Sequence, residues 1–137
     1  MVKTENRPLR IWLLGVPIDH INRQQTVNST MELIKNYSYK PSYIATINTD
    51  FIANAIGWTA IKDREFIKVL RKAKIATPDG MPLVYLSRLL GNPLPERVTG
   101  QDLFPILAEA VSEMHKSLFL LGGDVNVLTK CSSKLLM

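Results

Sequence analysis

Apolar and polar positions alternate along the chain in two rhythms, short runs and helical stripes. Residues 11–16 form an apolar run ended by Pro17, which predicts a buried strand. Val27, Met31 and Ile34 then fall at i, i+4 and i+7, so a helix is expected over about 27–37, its first turn capped by the Thr26 hydroxyl. After Pro41 comes a second β-rich run, 43–47. A short helix is expected over 50–56, closed by Gly57, and another capped by Asp63 that turns Phe66, Ile67 and Leu70 inward. KIAT at 74–77 predicts a third strand, and after Pro-Asp-Gly the segment 81–90 is apolar nearly all round, the pattern of a buried helix.

GNPLPERVTG at 91–100 is turn chemistry, stiffened by Pro93 and Pro95. Leu103, Leu107, Ala110, Val111 and Met114 mark a further helix, with Pro105 expected in its first turn. A fourth strand, 118–121, runs into Gly122-Gly123, and a last helical stretch starts at Asp124. Four strand–helix alternations predict an α/β fold: a mostly parallel, Rossmann-like sheet with helices on both faces. The chain stops at KLLM inside a helical stretch with no glycine cap, so residues 1–137 are read as one incomplete domain whose C-terminal part is missing.

Composition adds bounds. At 137 residues with 46% hydrophobic and 21% charged positions, the chain suits one domain with a modest core. The net charge of +5 favours anionic partners, and Lys62, Arg64, Lys68, Arg71, Lys72 and Lys74 concentrate part of it, either as a solvated helix face or as an anionic surface contact. No aromatic platform interleaves these cations, so nucleic acid is not expected as a partner. Cys131 is alone, which excludes a disulfide framework and suits a reducing compartment. IWLLGVPI is far shorter than the ~20 residues of a membrane span. The Asn28-Ser29-Thr30 sequon is read as chance.

In open parallel sheets, ligands bind at the carboxyl ends of the strands. Thr46 and Asn48 leave the second predicted strand, Asp79 the third, and Gly122-Gly123 the fourth. Each has a plain structural alternative: Thr46 as a β-branched strand residue, Asn48 as a turn former, Asp79 as a helix N-cap. The Gly-Gly pair lacks the third glycine of a dinucleotide fingerprint, and none follows the first strand, which argues against a dinucleotide-dependent oxidoreductase. There is no Asp-x-Asp to hold a divalent ion against a diphosphate, no Walker A and no Gly-x-Ser-x-Gly. His20 and His115 show no ligand spacing.

The stretch PDGMPLVYLSRLLGNPLPERVTGQDL, preceded by ATIN and followed by LFLLGG, closely resembles the WecG/TagA/CpsF family of bacterial glycosyltransferases. The ordered set of Thr-x-Asn, Asp-Gly opening an apolar helix, and Pro-x-x-Arg-Val-x-Gly-x-Asp-Leu carries it, over about residues 9–123. The resemblance implies an inverting, metal-independent transfer of an N-acetylmannosamine-type sugar from a UDP-sugar to undecaprenyl-diphosphate-linked N-acetylglucosamine, in cell-surface polymer synthesis. It implies Asp79 as the catalytic base, Thr46 and Asn48 as the polar pair near the reacting sugars, with Thr46 counted in the catalytic set, and Arg97 as a phosphate contact. It implies no cofactor, and a cytoplasmic protein peripheral to the inner face of the plasma membrane, held there by a basic C-terminal part that this chain lacks.

The residues are compatible with that chemistry. Pro78 fixes the backbone before Asp79 and Gly80 leaves room for a substrate, so positioning would supply much of the rate. Arg97 and the amides of Gly122 and Gly123 would face the leaving diphosphate, unless Arg97 is tied to Glu96 or a nearby acid. After Gly-Gly this chain reads DVNVLTKCSSKLL where the family usually has a Pro-Gly-Val turn, placing Asp124 where a nucleotide anion would lie. The alternative reading is a truncated, non-catalytic α/β module that retains weak nucleotide binding or homo-oligomer contacts.

Overall fold

The computed structural model describes residues 8–36, 41–57 and 64–135. Their elements run β1 (Arg10–Leu13), β2 (Val16–Asp19), α1 (Arg23–Lys35), β3 (Ile44–Ile47), α2 (Thr49–Ile56), α3 (Arg64–Lys72), β4 (Ile75–Pro78), α4 (Met81–Leu89), α5 (Gly100–Glu113) and α6 (Val125–Leu135). The chain divides into two compact units, Met1–Leu103 and Phe104–Met137. No helix among the described residues is long and apolar enough to cross a membrane.

The α/β class holds, but the single, mostly parallel sheet does not. Among the described residues there are two two-stranded sheets, β1–β2 antiparallel and β3–β4 parallel. The apolar run expected as one strand at 11–16 is folded over on itself, because Leu14 and Gly15 take left-handed φ of 51° and 85° and close a two-residue hairpin. Positive φ at both central positions is the turn that matches strand twist, and Asn-Gly is its usual signal; Leu-Gly hides it. The fourth strand is also corrected. Residues 116–121 have no strand partner among the described residues, and Phe119 and Leu121 are 84% and 91% exposed.

Helix boundaries follow their caps. Asn22, not Thr26, caps α1: its side chain accepts from Gln25 N at 2.8 Å while Gln25 Oε1 accepts from Asn22 N at 2.9 Å, a reciprocal capping box. Thr26 is buried inside α1, donating to the Asn22 carbonyl at 2.8 Å. Gly57 ends α2 at a left-handed φ of 77°, as expected. Asp63, expected to cap α3, lies outside the described residues. In α4, Leu83, Val84 and Ser87 are buried while Met81, Tyr85, Leu89 and the C-cap Leu90 are exposed, so that helix covers one face instead of being enclosed. Pro105 lies in the second turn of α5, because the helix starts at Gly100.

The core gathers Leu13, Val16 and Ile18 of the hairpin with Ile47, Ile52, Leu70, Ala76, Leu83 and Leu94. Strand β2 runs beside β4 without a backbone ladder. Asp19 spans that gap: its buried carboxylate accepts from Ala76 N at 2.7 Å and from Arg10 Nε and Nη2 at 2.7 and 2.9 Å. Arg10 Nη2 also donates to the Ala73 carbonyl at 3.1 Å. The hydrogen bond to Asp19 raises the Arg10 pKa, burial working against it. A bidentate charged pair thus replaces strand pairing and fixes β4, whose far end carries Asp79.

Candidate functional site

The parallel pair aligns Thr46 with Thr77 and Ile47 with Pro78. Side chains alternate along a strand, so Ala45, Ile47 and Ala76 turn to the core and Thr46 and Thr77 share the opposite face. The pairing continues one step further, since Asp79 N donates to the Ile47 carbonyl at 2.7 Å and Asn48 is still extended. By the same alternation Asn48 and Asp79 join Thr46 and Thr77. Four polar residues therefore gather on one sheet face at the carboxyl ends of β3 and β4.

Their hydrogen bonds separate structural from unused groups. Asn48 caps α2, its Oδ1 accepting from Phe51 N at 2.9 Å, so the turn-former alternative describes part of its work. Asp79 does not cap α4: the N-cap is Gly80, at φ 149°, with no side-chain cap bond. The half-buried Asp79 carboxylate makes no hydrogen bond or ion pair with the described residues. Thr77 is fully buried and its Oγ1 has no partner among the described residues. An orphaned buried hydroxyl costs roughly 1–3 kcal/mol, so this one calls for an explanation.

The stiff loop at 91–100 is anchored against these ends. Val98 N donates to the Pro78 carbonyl at 2.8 Å, and a Cβ at Gly100 would lie 3.7 Å from Thr46 Cγ2. Ser87 holds the other side, donating to the Val84 carbonyl at 2.7 Å and accepting from Leu94 N at 2.9 Å. Glu96 accepts from Arg23 N at 2.6 Å, at the start of α1. Thr99 Oγ1 accepts from Asp102 N at 3.1 Å in the first turn of α5. Arg97 is half-exposed and reaches Asp102 at 3.6 Å, so its acidic neighbour is Asp102 and not Glu96. Among the described residues, that single long contact leaves the guanidinium's other donors uncommitted.

Gly122 and Gly123 lie in the second unit, in a bend at φ 94° and 85° with open space around them, and no strand leads into them. The same unit has an open groove of about 710 Å³ between α5, the 116–120 segment and α6, lined by Val111, Lys116, Leu118, Phe119 and Leu128 among others. None of the polar residues at the β3–β4 ends lines it.

Sequence reasoning missed Thr77, Asp19 and Thr99. The first two gave little signal, but the period-2 match of Thr-Ile-Asn with Thr-Pro-Asp would have paired Thr77 with Thr46. The Thr-x-x-Asp spacing of 99–102 reads as a capping pattern.

The sequence model described as "Glycosyl transferase WecG/TagA/CpsF family" matches residues 11–136. An N-acetylglucosaminyldiphosphoundecaprenol N-acetyl-beta-D-mannosaminyltransferase of Bacillus subtilis (strain 168) is 35% identical over 92 residues, 67% of this chain and 34% of the relative. The protein of the same name from Staphylococcus aureus (strain NCTC 8325 / PS 47) is 24% identical over 127 residues, 93% of this chain and 48% of the relative. The chain thus spans between a third and a half of the length of these curated relatives.

Proposed function

The chain belongs to the WecG/TagA/CpsF family of glycosyl transferases, and from that premise we propose that it transfers N-acetylmannosamine, or a related N-acetylhexosamine, from a UDP-sugar to undecaprenyl-diphosphate-linked N-acetylglucosamine. The observation that carries the reading is the Asp79 carboxylate: half-buried, without a partner among the described residues, and freed from capping at the mouth of a parallel strand pair. A general base must first of all reach the hydroxyl it deprotonates, and a carboxylate with no competing bond is free to do so.

In the proposed step, Asp79 takes the proton of the acceptor hydroxyl as its oxygen attacks the anomeric carbon. The new C–O bond forms while the bond to UDP breaks, and its electron pair leaves with the diphosphate, a single displacement that inverts the centre. Thr46 and the free amide N–H groups of Asn48 orient the sugars. Arg97 leaves its exposed contact with Asp102, a pair of the kind worth about 0–1 kcal/mol, to meet the diphosphate. The acceptor places the reaction at the inner face of the plasma membrane. No metal or cofactor enters the step.

The test is a transfer assay with UDP-N-acetylmannosamine and a lipid-diphosphate-N-acetylglucosamine analogue, beside calorimetry with UDP. Asp79→Asn is expected to keep UDP binding and lower turnover by about 10²–10⁴-fold, the usual share of a general base. Wild-type turnover in that variant removes Asp79 from the role. The exposed Phe119, Leu121 and Val125 favour a second reading, a non-catalytic module that associates through this apolar surface. Undetectable UDP binding together with a concentration-dependent oligomer would establish it instead.

A further inference from the structure

We propose that the tip of the β1–β2 hairpin and the basic flank of α3 form a docking surface for an anionic lipid bilayer, separate from the strand-end site and independent of whether the chain is a transferase. Trp12 alternates outward from the buried Ile11 and Leu13 and is 55% exposed, and Leu14 at the turn is 56% exposed. The Arg71 guanidinium lies 5.5 Å from the centre of the Trp12 ring, which joins hairpin and helix into one surface.

On α3, Leu70 is buried and Phe66 and Ile67 pack against the core, so the opposite flank is outward. Arg64, Lys68, Arg71 and Lys72 recur there at i, i+4, i+7 and i+8 and all are exposed. Glu65 is the one acid of the helix, and it pairs with Lys68 at 2.6 Å in full view of solvent. The flank keeps a net positive charge, and the complementary surface is anionic.

Leu14 decides what kind of anionic surface. It holds a left-handed φ of 51°, a conformation that a branched side chain enters at a cost and that Asn or Gly would adopt freely in this turn. The molecule thus carries backbone strain and an apolar side chain in water at the same residue. Strain retained at an exposed tip points to function, and leucine beside tryptophan fits the headgroup–acyl boundary. A nucleic acid backbone has no place for the leucine, and the Trp12 ring is already faced by Arg71. Each Lys or Arg near an anionic membrane contributes roughly fivefold in partitioning, so the flank and the apolar tip together give reversible binding.

The experiment is flotation of the 137-residue chain with vesicles of phosphatidylglycerol and phosphatidylcholine, against phosphatidylcholine alone. Emission from Trp12 is followed in a Trp58→Phe background. The expected result is binding to the anionic vesicles only, weakened by salt, with a blue shift of Trp12. Arg64→Gln with Lys72→Gln should lower partitioning by about 25-fold. Leu14→Asn should lower it while leaving the urea midpoint unchanged or higher, a combination that misfolding does not produce. Equal binding to both vesicle types overturns the proposal, as does partitioning insensitive to these substitutions. Preferential binding of an oligonucleotide through the same residues overturns it in favour of nucleic acid.

Discussion

Replacing Asp19 with alanine probes the link that holds β4, and through it Asp79, in place. The Asp19 side chain is 2% exposed and that of Arg10 24% exposed, so the pair is largely removed from water. Removing one partner of a buried ion pair typically costs about 3–5 kcal/mol, because the other charge stays behind. Arg10 keeps some solvent and its contact with the Ala73 carbonyl, which moves the estimate down. Ala76 N loses its only side-chain acceptor, and an orphaned buried donor adds about 1–3 kcal/mol. The net expectation is a loss of about 3–5 kcal/mol, a large part of the roughly 5–15 kcal/mol by which domains are stable. Urea unfolding followed by tryptophan emission measures it, and an unchanged denaturant slope shows that the same transition is being compared. The double variant Arg10→Met/Asp19→Leu should recover much of the loss, since neither charge then remains buried. A cost below about 1 kcal/mol for Asp19→Ala, or a double variant no more stable than the single one, would refute the clamp.

Asp79→Ala should change stability by less than about 0.5 kcal/mol, because the residue neither caps α4 nor holds a partner among the described residues; a loss near 1 kcal/mol in thermal unfolding would restore capping as its role. Thr77→Val removes a buried hydroxyl that has no partner among the described residues, so the denaturant midpoint should rise or hold, whereas Thr77→Ser should not raise it; a clear fall for valine would mean that the hydroxyl is bonded in solution. The Arg10 pKa is raised chiefly by its hydrogen bond to Asp19, so the stability linked to it is complete below the unfolded arginine pKa and is lost only as pH climbs through the folded one. Denaturant midpoints from neutral to moderately alkaline pH should therefore carry no arginine-linked decline, and a decline that disappears in Arg10→Met would contradict the assignment.

The helices and the paired strands β3 and β4 were legible because their signals are local. Gly57 closes α2, Pro-Asp-Gly precedes α4, and the β-rich runs at 44–47 and 75–78 sit where their apolar residues predict. Family membership was equally local, resting on ordered short stretches of residues. What escaped depended on a second segment. Whether 118–121 becomes a strand is decided by a neighbour that supplies hydrogen bonds, and none is present among the described residues. Whether 11–16 is one strand or a hairpin is decided by the left-handed Leu14, which propensity does not foresee.

The same division runs through the site. Sequence by itself named Thr46, Asn48, Asp79 and Arg97 as chemistry-bearing residues. Tertiary structure decided that Asn48 spends its oxygen on α2, that Gly80 releases Asp79 from the cap, that Arg97 rests on Asp102, and that Thr77 stands beside Thr46 with an unused hydroxyl. Residue type sets which bonds a group is able to make, but its partners come from distant parts of the chain. Only the folded backbone determines which of those bonds are already made and which are left for a ligand.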